Sequence, residues 1–204
     1  KKERVIDITF RVREGPRVFV ERIDITGNVR TIDSVIRREM VLVEGDAFNA
    51  SKTLRARKKI RNLGFFEKVD VKNVVGSRPD KTVLQVKVRE RSTGEISFGA
   101  GFSTTNGFLG NVGIRERNLL GKGQDLLLKT TIAAESSEIE LKFTEPYFLD
   151  RKLSGGFDLF RTTKDLKDES SFERKSFGAG LRLGFEYSDI FRQRLRYRII
   201  REEV

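Results

Sequence analysis

Residues 94–204 repeat one pattern, in which apolar residues alternate with glycine, polar or charged residues. A period of two predicts a β-strand with two unlike faces. A single strand of this kind also fits an ordinary half-buried sheet. Seven consecutive segments of about ten residues keep the alternation, and this repetition restricts the fold most. The first segment, Gly94 to Ser103, has on its apolar face Ile96, Phe98, Ala100 and Phe102.

The last segment favours a membrane barrel over a soluble sheet, because one face of the strand carries three arginines, Arg194, Arg196 and Arg198. In a membrane barrel, lipid contacts one face of each strand and a wet lumen contacts the other. We therefore predict antiparallel transmembrane β-barrel strands. Bacterial barrels have an even number of strands and at least about eight, so seven strands predict an incomplete barrel. The residues predicted to face the lumen are Arg115, Arg117, Arg182, Glu186, Arg194, Arg196 and Arg198.

The first 92 residues have a different character. They carry 23 Lys and Arg against 13 Asp and Glu, whereas the remaining residues are nearly balanced at 18 against 17. Helical periodicity also occurs only before Gly94. The order strand, helix, helix, strand, strand over residues 17–91 predicts an α+β domain. Its second helix should begin after Asn49 as N-cap, end before Gly64 and bury Leu54.

Residues 5–14 read as an isolated strand that matches Thr82 to Glu90 when shifted by 76 residues. The match ends in Val-Arg-Glu in both copies. We therefore expect residues 1–14 to be the end of a preceding copy of the same domain.

Composition argues against an enzyme. The chain has no Cys, which excludes disulfides and thiolate metal sites, and no His, the commonest general base and metal ligand. No carboxylate pair or nucleophile with its base stands out. We predict no catalytic residue, no metal site and no cofactor.

Six of the ten residues from Lys52 to Arg61 are basic. A nucleic-acid site would be expected to add aromatic or base-reading side chains, and this helix has none. A solvated helix face near an anionic surface or an acidic partner is the favoured interpretation, and a soluble nucleic-acid binder is kept as an alternative.

Several short motifs together resemble one family. Residues 18–28 (VFVERIDITGN) and 63–69 (LGFFEKV) are similar to segments of a POTRA domain, and residues 116–124 (ERNLLGKGQ) and 143–148 (FTEPYF) to the first strands of its barrel. The whole chain resembles the BamA family of outer-membrane assembly factors. Residues 1–14 would end one POTRA domain, 17–91 would form the POTRA domain nearest the membrane, and 94–204 the first seven or so barrel strands.

The resemblance implies assembly and insertion of β-barrel proteins into the bacterial outer membrane, with the POTRA part in the periplasm. It implies as partners nascent outer-membrane proteins, accessory assembly lipoproteins and membrane lipids, and no nucleic acid. A sixteen-stranded barrel with weakly paired first and last strands is also implied. The sequence departs from the family in lacking the later strands and the Val-Arg-Gly-Phe type motif. A secretion transporter of the same superfamily is the alternative, distinguished by conductance of the full-length protein.

An exposed strand edge can template an incoming strand through its backbone, whatever the sequence of that strand. Two edges are candidates: Phe65 to Val71, which the resemblance places at the outside of the POTRA sheet, and Ile96 to Phe102 in the first barrel strand. Gly99 and Gly101 would leave backbone accessible in the second edge, although barrel curvature explains them equally well. The residues predicted to bind a client strand are Phe65, Phe66, Val69, Val71, Ile96, Phe98, Gly99, Ala100, Gly101 and Phe102.

Overall fold

A computed structural model describes residue 9 and residues 16–104, 107–165, 173–188 and 190–204. Apart from Thr9, the predicted end of a preceding domain at residues 1–14 lies outside the described residues, as does most of the polar loop predicted at 164–171. Among the described residues, no helix is both long enough and apolar enough to cross a membrane.

The first part is the predicted α+β domain. Its elements are β1 (Phe19–Thr26), α1 (Asp33–Arg37), α2 (Ala50–Asn62), β2 (Phe66–Val75) and β3 (Lys81–Glu90). The strands form a sheet of order β1-β3-β2, in which β1 is parallel and β2 antiparallel to the central β3. The core lies between this sheet and the helices, and its completely buried members include Val35, Ile36, Leu42, Ile60 and Leu84.

Helix α2 has the predicted ends. The Asn49 side chain accepts a hydrogen bond from the Lys52 backbone N–H at 3.1 Å, and Gly64 follows the helix with a φ of +76°. The prediction that Leu54 is buried was wrong, because its exposed fraction is 56%. The buried face of α2 instead contains Thr53, Ala56 and Ile60. Their spacing of three and four residues forms one stripe, and Leu54 lies about 100° around the helix from Thr53.

The second part is a seven-stranded antiparallel sheet in which every strand pairs with its neighbour in sequence. It is not closed within the described residues, as predicted for an incomplete barrel. Its strands are β4 (Gly94–Ser103), β5 (Gly107–Leu119), β6 (Gln124–Ala133), β7 (Ser136–Glu145), β8 (Leu153–Asp165), β9 (Glu173–Glu186) and β10 (Arg192–Glu203).

The strand register confirms two unlike faces. One continuous row across the sheet consists of Ile96, Ile114, Leu128, Leu141, Leu159, Ala179 and Ile199. Many large side chains of this apolar face are exposed; Phe98 and Phe108, for example, each have an exposed fraction of 78%. A water-soluble protein rarely exposes so continuous an apolar surface, so this face requires an apolar environment.

The connections at one end of the sheet approach the α+β domain. These are the turns 120–123 and 146–152, in which Gly121 bonds to Ile32 and Tyr147 bonds to Glu39, and the second turn contains a short 3₁₀ turn, Phe148–Asp150. Only residues 91–93 separate β3 from β4. The two parts are therefore joined both by a short linker and by contacts from these turns.

Candidate strand-pairing edges and their support

Strand β4 is an edge of the large sheet, since within the described residues it pairs with β5 alone. Its sequence contains one charged residue, Glu95, in ten. Ile96, Phe98 and Phe102 project from the apolar face with exposed fractions of 64%, 78% and 67%. A long, nearly uncharged edge strand offers unpaired backbone groups to another strand.

Side chains hold β4 at both ends. Near the α+β domain, Arg117 Nη2 donates to Glu95 Oε2 at 2.7 Å. At the far end, the rings of Phe102 and Phe108 meet edge to face, with centroids 5.2 Å apart. These contacts fix one side of β4 and leave its outer backbone edge uncovered among the described residues.

The two predicted glycines of β4 have different surroundings. A Cβ on Gly99 would lie 2.6 Å from the amide nitrogen of the Asn111 side chain, so Gly99 makes room for that side chain. A Cβ on Gly101 would lie 3.5 Å from Leu109, an ordinary contact distance. Packing against Asn111 is thus a third explanation for Gly99, beside backbone access and curvature.

Strand β2 is one of the two outer strands of the small sheet and carries the other predicted edge. The side chains of Phe65, Phe66 and Val69 are only 4–5% exposed, and Val71 packs against the same core. The prediction that these residues bind a client strand rests on their backbone groups, and it stays a prediction. Their side chains are buried because they form the sheet side of the core, so only the β2 backbone could pair with another strand.

The register places the arginines of β10 on the polar face of the large sheet. Arg198 is opposite Gly180, Arg196 opposite Arg182 and Arg194 opposite Gly184. Glu186 on β9 lies on the same polar face. On β5, Arg115 and Arg117 share this face with Glu95 of β4. That this polar face lines a lumen stays a prediction.

Two ion pairs stabilise the polar face. Arg115 makes a two-point hydrogen bond to Asp125, with Nε and Oδ1 2.9 Å apart. Arg182 Nε lies 2.9 Å from Oδ1 of the buried Asp158, and its Nη2 donates to the Phe143 carbonyl and to Thr144 Oγ1 at 3.1 Å each. A buried carboxylate needs such a partner, because desolvation without one is costly.

A joint connects the two parts at the end of β5 and the turn that follows it. The buried Asn118 donates through Nδ2 to Thr31 Oγ1 at 2.9 Å, and its Oδ1 accepts from the Gly123 N–H at 2.7 Å. The Ile32 N–H donates to the Gly121 carbonyl at 3.0 Å. Sequence reasoning missed this joint, since Thr31 and Asn118 are far apart in the chain and neither has a distinctive pattern.

Tyr147 makes a second contact across the joint, and Glu90 holds the POTRA side of it in place. Tyr147 donates its hydroxyl to Glu39 Oε1 at 2.8 Å, and the Arg38 guanidinium lies 4.0 Å from the centre of its ring. Burial, together with this hydrogen bond, raises the pKa of Tyr147, so the hydroxyl stays a donor. Glu90 accepts from the backbone N–H groups of Thr31 and Arg30 at 2.7 and 2.9 Å. Burial acts to raise the pKa of Glu90, but these hydrogen bonds outweigh it and the net pKa is lowered.

The basic helix α2 borders a cleft of about 790 Å³ between the two parts. Its lining includes cations from both sides. They are Arg55, Lys58, Lys59, Lys152, Arg192 and Arg194.

Comparison with protein-family models matches both parts. Residues 18–91 match the POTRA model, described as a surface antigen variable number repeat, and residues 118–204 match the Omp85 superfamily domain. The chain therefore belongs to the POTRA-containing Omp85 superfamily of outer-membrane proteins. It is 32% identical to the outer membrane protein assembly factor BamA of Nitratidesulfovibrio vulgaris, over 93% of this chain and 24% of that protein.

Solved structures agree with this assignment. BamA from Haemophilus ducreyi lacking POTRA domains 1–3 is 32% identical with a TM-score of 0.81, over 92% of this chain and 36% of that one. CdiB from Acinetobacter baumannii shares the fold at 15% identity and a TM-score of 0.63, over 92% and 38% of the two chains. The chain spans about a quarter of the length of the curated BamA relatives it matches. Its domains and relatives place it in the bacterial outer membrane, with the POTRA part in the periplasm.

Proposed function

We propose that the protein containing this chain assembles β-barrel proteins into the outer membrane, and that a client strand pairs with the free edge of β4. The observation that carries the proposal is that β4, a ten-residue strand with one charge, pairs with β5 alone among the described residues. Backbone pairing suits clients of many sequences, because N–H and C=O groups are common to all of them.

A comparison of the two edges favours β4. Strand β2 carries Glu67, Lys68, Asp70 and Lys72, and its pairing with β3 is irregular between Phe66 and Lys68. Charges and bulges are the usual features that keep an edge from pairing with other chains. Strand β4 has its only charge at the end nearest the POTRA domain. We therefore assign client pairing to β4 and a secondary role, through backbone only, to β2.

The mechanism we propose is a lateral opening. In the closed barrel β4 would pair with a final strand that this chain does not contain, and a client strand would replace that partner. The support is that the contacts of Glu95 and Phe102 join β4 to β5 through side chains, so that β4 can stay attached to β5 while its opposite backbone edge exchanges partners. Nascent outer-membrane proteins and accessory assembly lipoproteins are the proposed partners.

A crosslinking pair tests the edge. Cysteine is introduced at Ser97 on β4, and separately at Ser176 on β9, in the full-length protein carrying a stalled client with single cysteines. Both positions lie on the polar face, but Ser176 has a paired strand on each side. Disulfides to the client are expected from Ser97 and not from Ser176. Equal crosslinking at the two positions would reject β4 as the pairing edge.

Proline substitutions give an independent test. Successive residues of an edge strand direct their N–H groups alternately toward and away from the neighbouring strand. Of the two variants Gly99→Pro and Ala100→Pro, one therefore keeps all the hydrogen bonds between β4 and β5 and removes only an outward N–H. That variant should fold and yet impair assembly of other barrels. Leu183→Pro lies in the interior strand β9 and should prevent folding of the barrel itself. If both β4 variants fold and assemble clients normally, the edge is not used.

The alternatives have their own tests. A secretion transporter of the same superfamily would require a permeable pore, so high conductance of the full-length protein with no assembly activity would favour it. Nucleic-acid binding through residues 52–61 would require a steep decrease of duplex affinity with salt.

A further inference from the structure

A second cavity, of about 600 Å³, opens on the apolar face of the large sheet at its POTRA end. The 3₁₀ turn Phe148–Asp150 forms one wall, and strands β7, β8 and β9 form the floor. Its apolar lining consists of Phe143, Phe148, Leu149, Phe157, Leu181 and Leu183.

Glycine shapes this cavity. A Cβ on Gly155 would lie 3.1 Å from the Phe148 ring, so the absence of a side chain allows the turn to approach the sheet. The turn itself is held in an uncommon conformation, with Leu149 and Asp150 at φ values of +57° and +54°. Such a conformation persists only where surrounding contacts impose it. It leaves Leu149, whose exposed fraction is 72%, at the open rim.

Several polar side chains around the cavity are already hydrogen-bonded or ion-paired, and the carboxylate of Asp150 lies at its edge. Gln124 Nε2 donates to Glu145 Oε2 at 2.8 Å, and the Tyr147 N–H donates to Glu145 Oε1 at 2.9 Å. Arg182 is engaged by Asp158, as described above. The cavity therefore offers an occupant apolar contact and few free hydrogen-bonding groups. Cavities lined by Leu and Phe stay dry and accept apolar guests.

We propose that this cavity binds an acyl chain of a phospholipid in the leaflet nearer the POTRA domain. The cavity is continuous with the exposed apolar face through Phe157 and Leu181, so a chain can enter from the hydrocarbon layer without crossing a polar barrier. Its volume lies within the usual range for small-ligand sites, about 300 to 1,000 Å³. The inference requires only that the apolar face contacts the bilayer, and it does not depend on the assembly function.

The position in the fold indicates how the head group is held. Tyr147 lies beside the cavity at the end of the strands, where membrane barrels place interfacial aromatic residues. The exposed Arg151 follows the turn directly and supplies a cation for a lipid phosphate. A bound lipid would fix the Phe148–Asp150 turn and, through Tyr147 and Glu39, the joint with the POTRA domain.

Photolabelling of the full-length protein tests the proposal. The protein is reconstituted in vesicles of phosphatidylethanolamine and phosphatidylglycerol that contain a trace of phosphatidylethanolamine with a diazirine on one acyl chain. Labelling is measured in the tryptic peptides 143–151 and 153–161 and in a reference peptide of the same apolar face, 92–115. Labelling per residue should be about fivefold higher in the cavity peptides, because a chain held between the turn and the sheet stays beside these residues for longer than one that only passes over the open face.

Three variants decide the outcome. Gly155→Leu fills the cavity and should reduce its labelling to the reference level, whereas Ala179→Leu adds the same bulk to the apolar face outside the cavity and should change nothing. Leu149→Asn removes the apolar side chain from the rim of the cavity, and asparagine tolerates the positive φ at this position. It should reduce labelling with little effect on folding, and it decides the matter if Gly155→Leu does not fold.

The proposal is overturned if wild-type labelling of the cavity peptides equals that of the reference. It is also overturned if labelling is unchanged in every cavity variant that folds. A photoreactive residue at position 149 that crosslinks to a protein, together with no lipid labelling, would assign the cavity to a protein segment instead.

Discussion

Asn118 of the large sheet donates a 2.9 Å hydrogen bond to the hydroxyl of Thr31 in the POTRA domain, and both residues are at least 92% buried. A buried amide needs its partners, since leaving either group unsatisfied costs about 1–3 kcal/mol. This bond, together with that between Ile32 and Gly121, attaches the POTRA domain to β5, the strand that pairs with β4.

We expect Asn118→Ala and Thr31→Val each to destabilise the joint. Their effects on the free energy of unfolding should not be additive. The coupling energy in a double-mutant cycle should be about 1 kcal/mol, because both changes remove the same hydrogen bond. It can be measured from denaturant unfolding of the full-length protein. Additive effects would show that the bond contributes nothing to stability.

Gly121→Ala should loosen the joint. Gly121 has a φ of +73°, and a Cβ there would lie 2.0 Å from the Arg30 carbonyl oxygen, so the turn and the POTRA domain must separate. Spin labels placed on the two parts should report a broader distance distribution. Gly101→Ala is the matched control, since its Cβ would meet Leu109 at 3.5 Å and the distribution should not change.

Helix α2 offers a test of the POTRA core. Ile60 is completely buried and Leu54 is largely exposed. We expect Ile60→Ala to cost about 2–5 kcal/mol of unfolding free energy and Leu54→Ala less than about 0.5 kcal/mol. Urea unfolding of residues 17–91, which we predict to fold alone, would measure both. Similar costs for the two variants would contradict the observed packing.

The stability of the POTRA domain should depend on the ionisation of Glu90. Its lowered pKa means that its contribution is present above the ordinary glutamate pKa, about 4.3, and is lost as pH falls through the lowered value. We expect wild-type stability to fall more between about pH 6 and pH 3 than that of Glu90→Gln. Parallel pH profiles of the two proteins would contradict the assigned role of Glu90.

Much of the architecture follows from local pattern. The alternation after Gly94 predicts seven strands with one apolar face, because side chains on a strand point to opposite sides in turn. The two caps of α2 are equally local, since Asn49 and Gly64 act on backbone groups within a few residues. The arginines of β10 lie on the polar face for the same reason of alternation.

Other features depended on contacts between distant segments. The sequence could not decide the phase of α2, because its apolar residues are spread around the helix and only packing against the sheet selects Thr53, Ala56 and Ile60 over Leu54. The side chains of Phe65, Phe66 and Val69 belong to the core although β2 is an edge strand, because this face of the sheet packs against the helices. The joint at Asn118 and the cavity beside Gly155 each combine residues that are ordinary in sequence. Each site forms only when the tertiary structure places Asn118 beside Thr31 and Gly155 beneath Phe148.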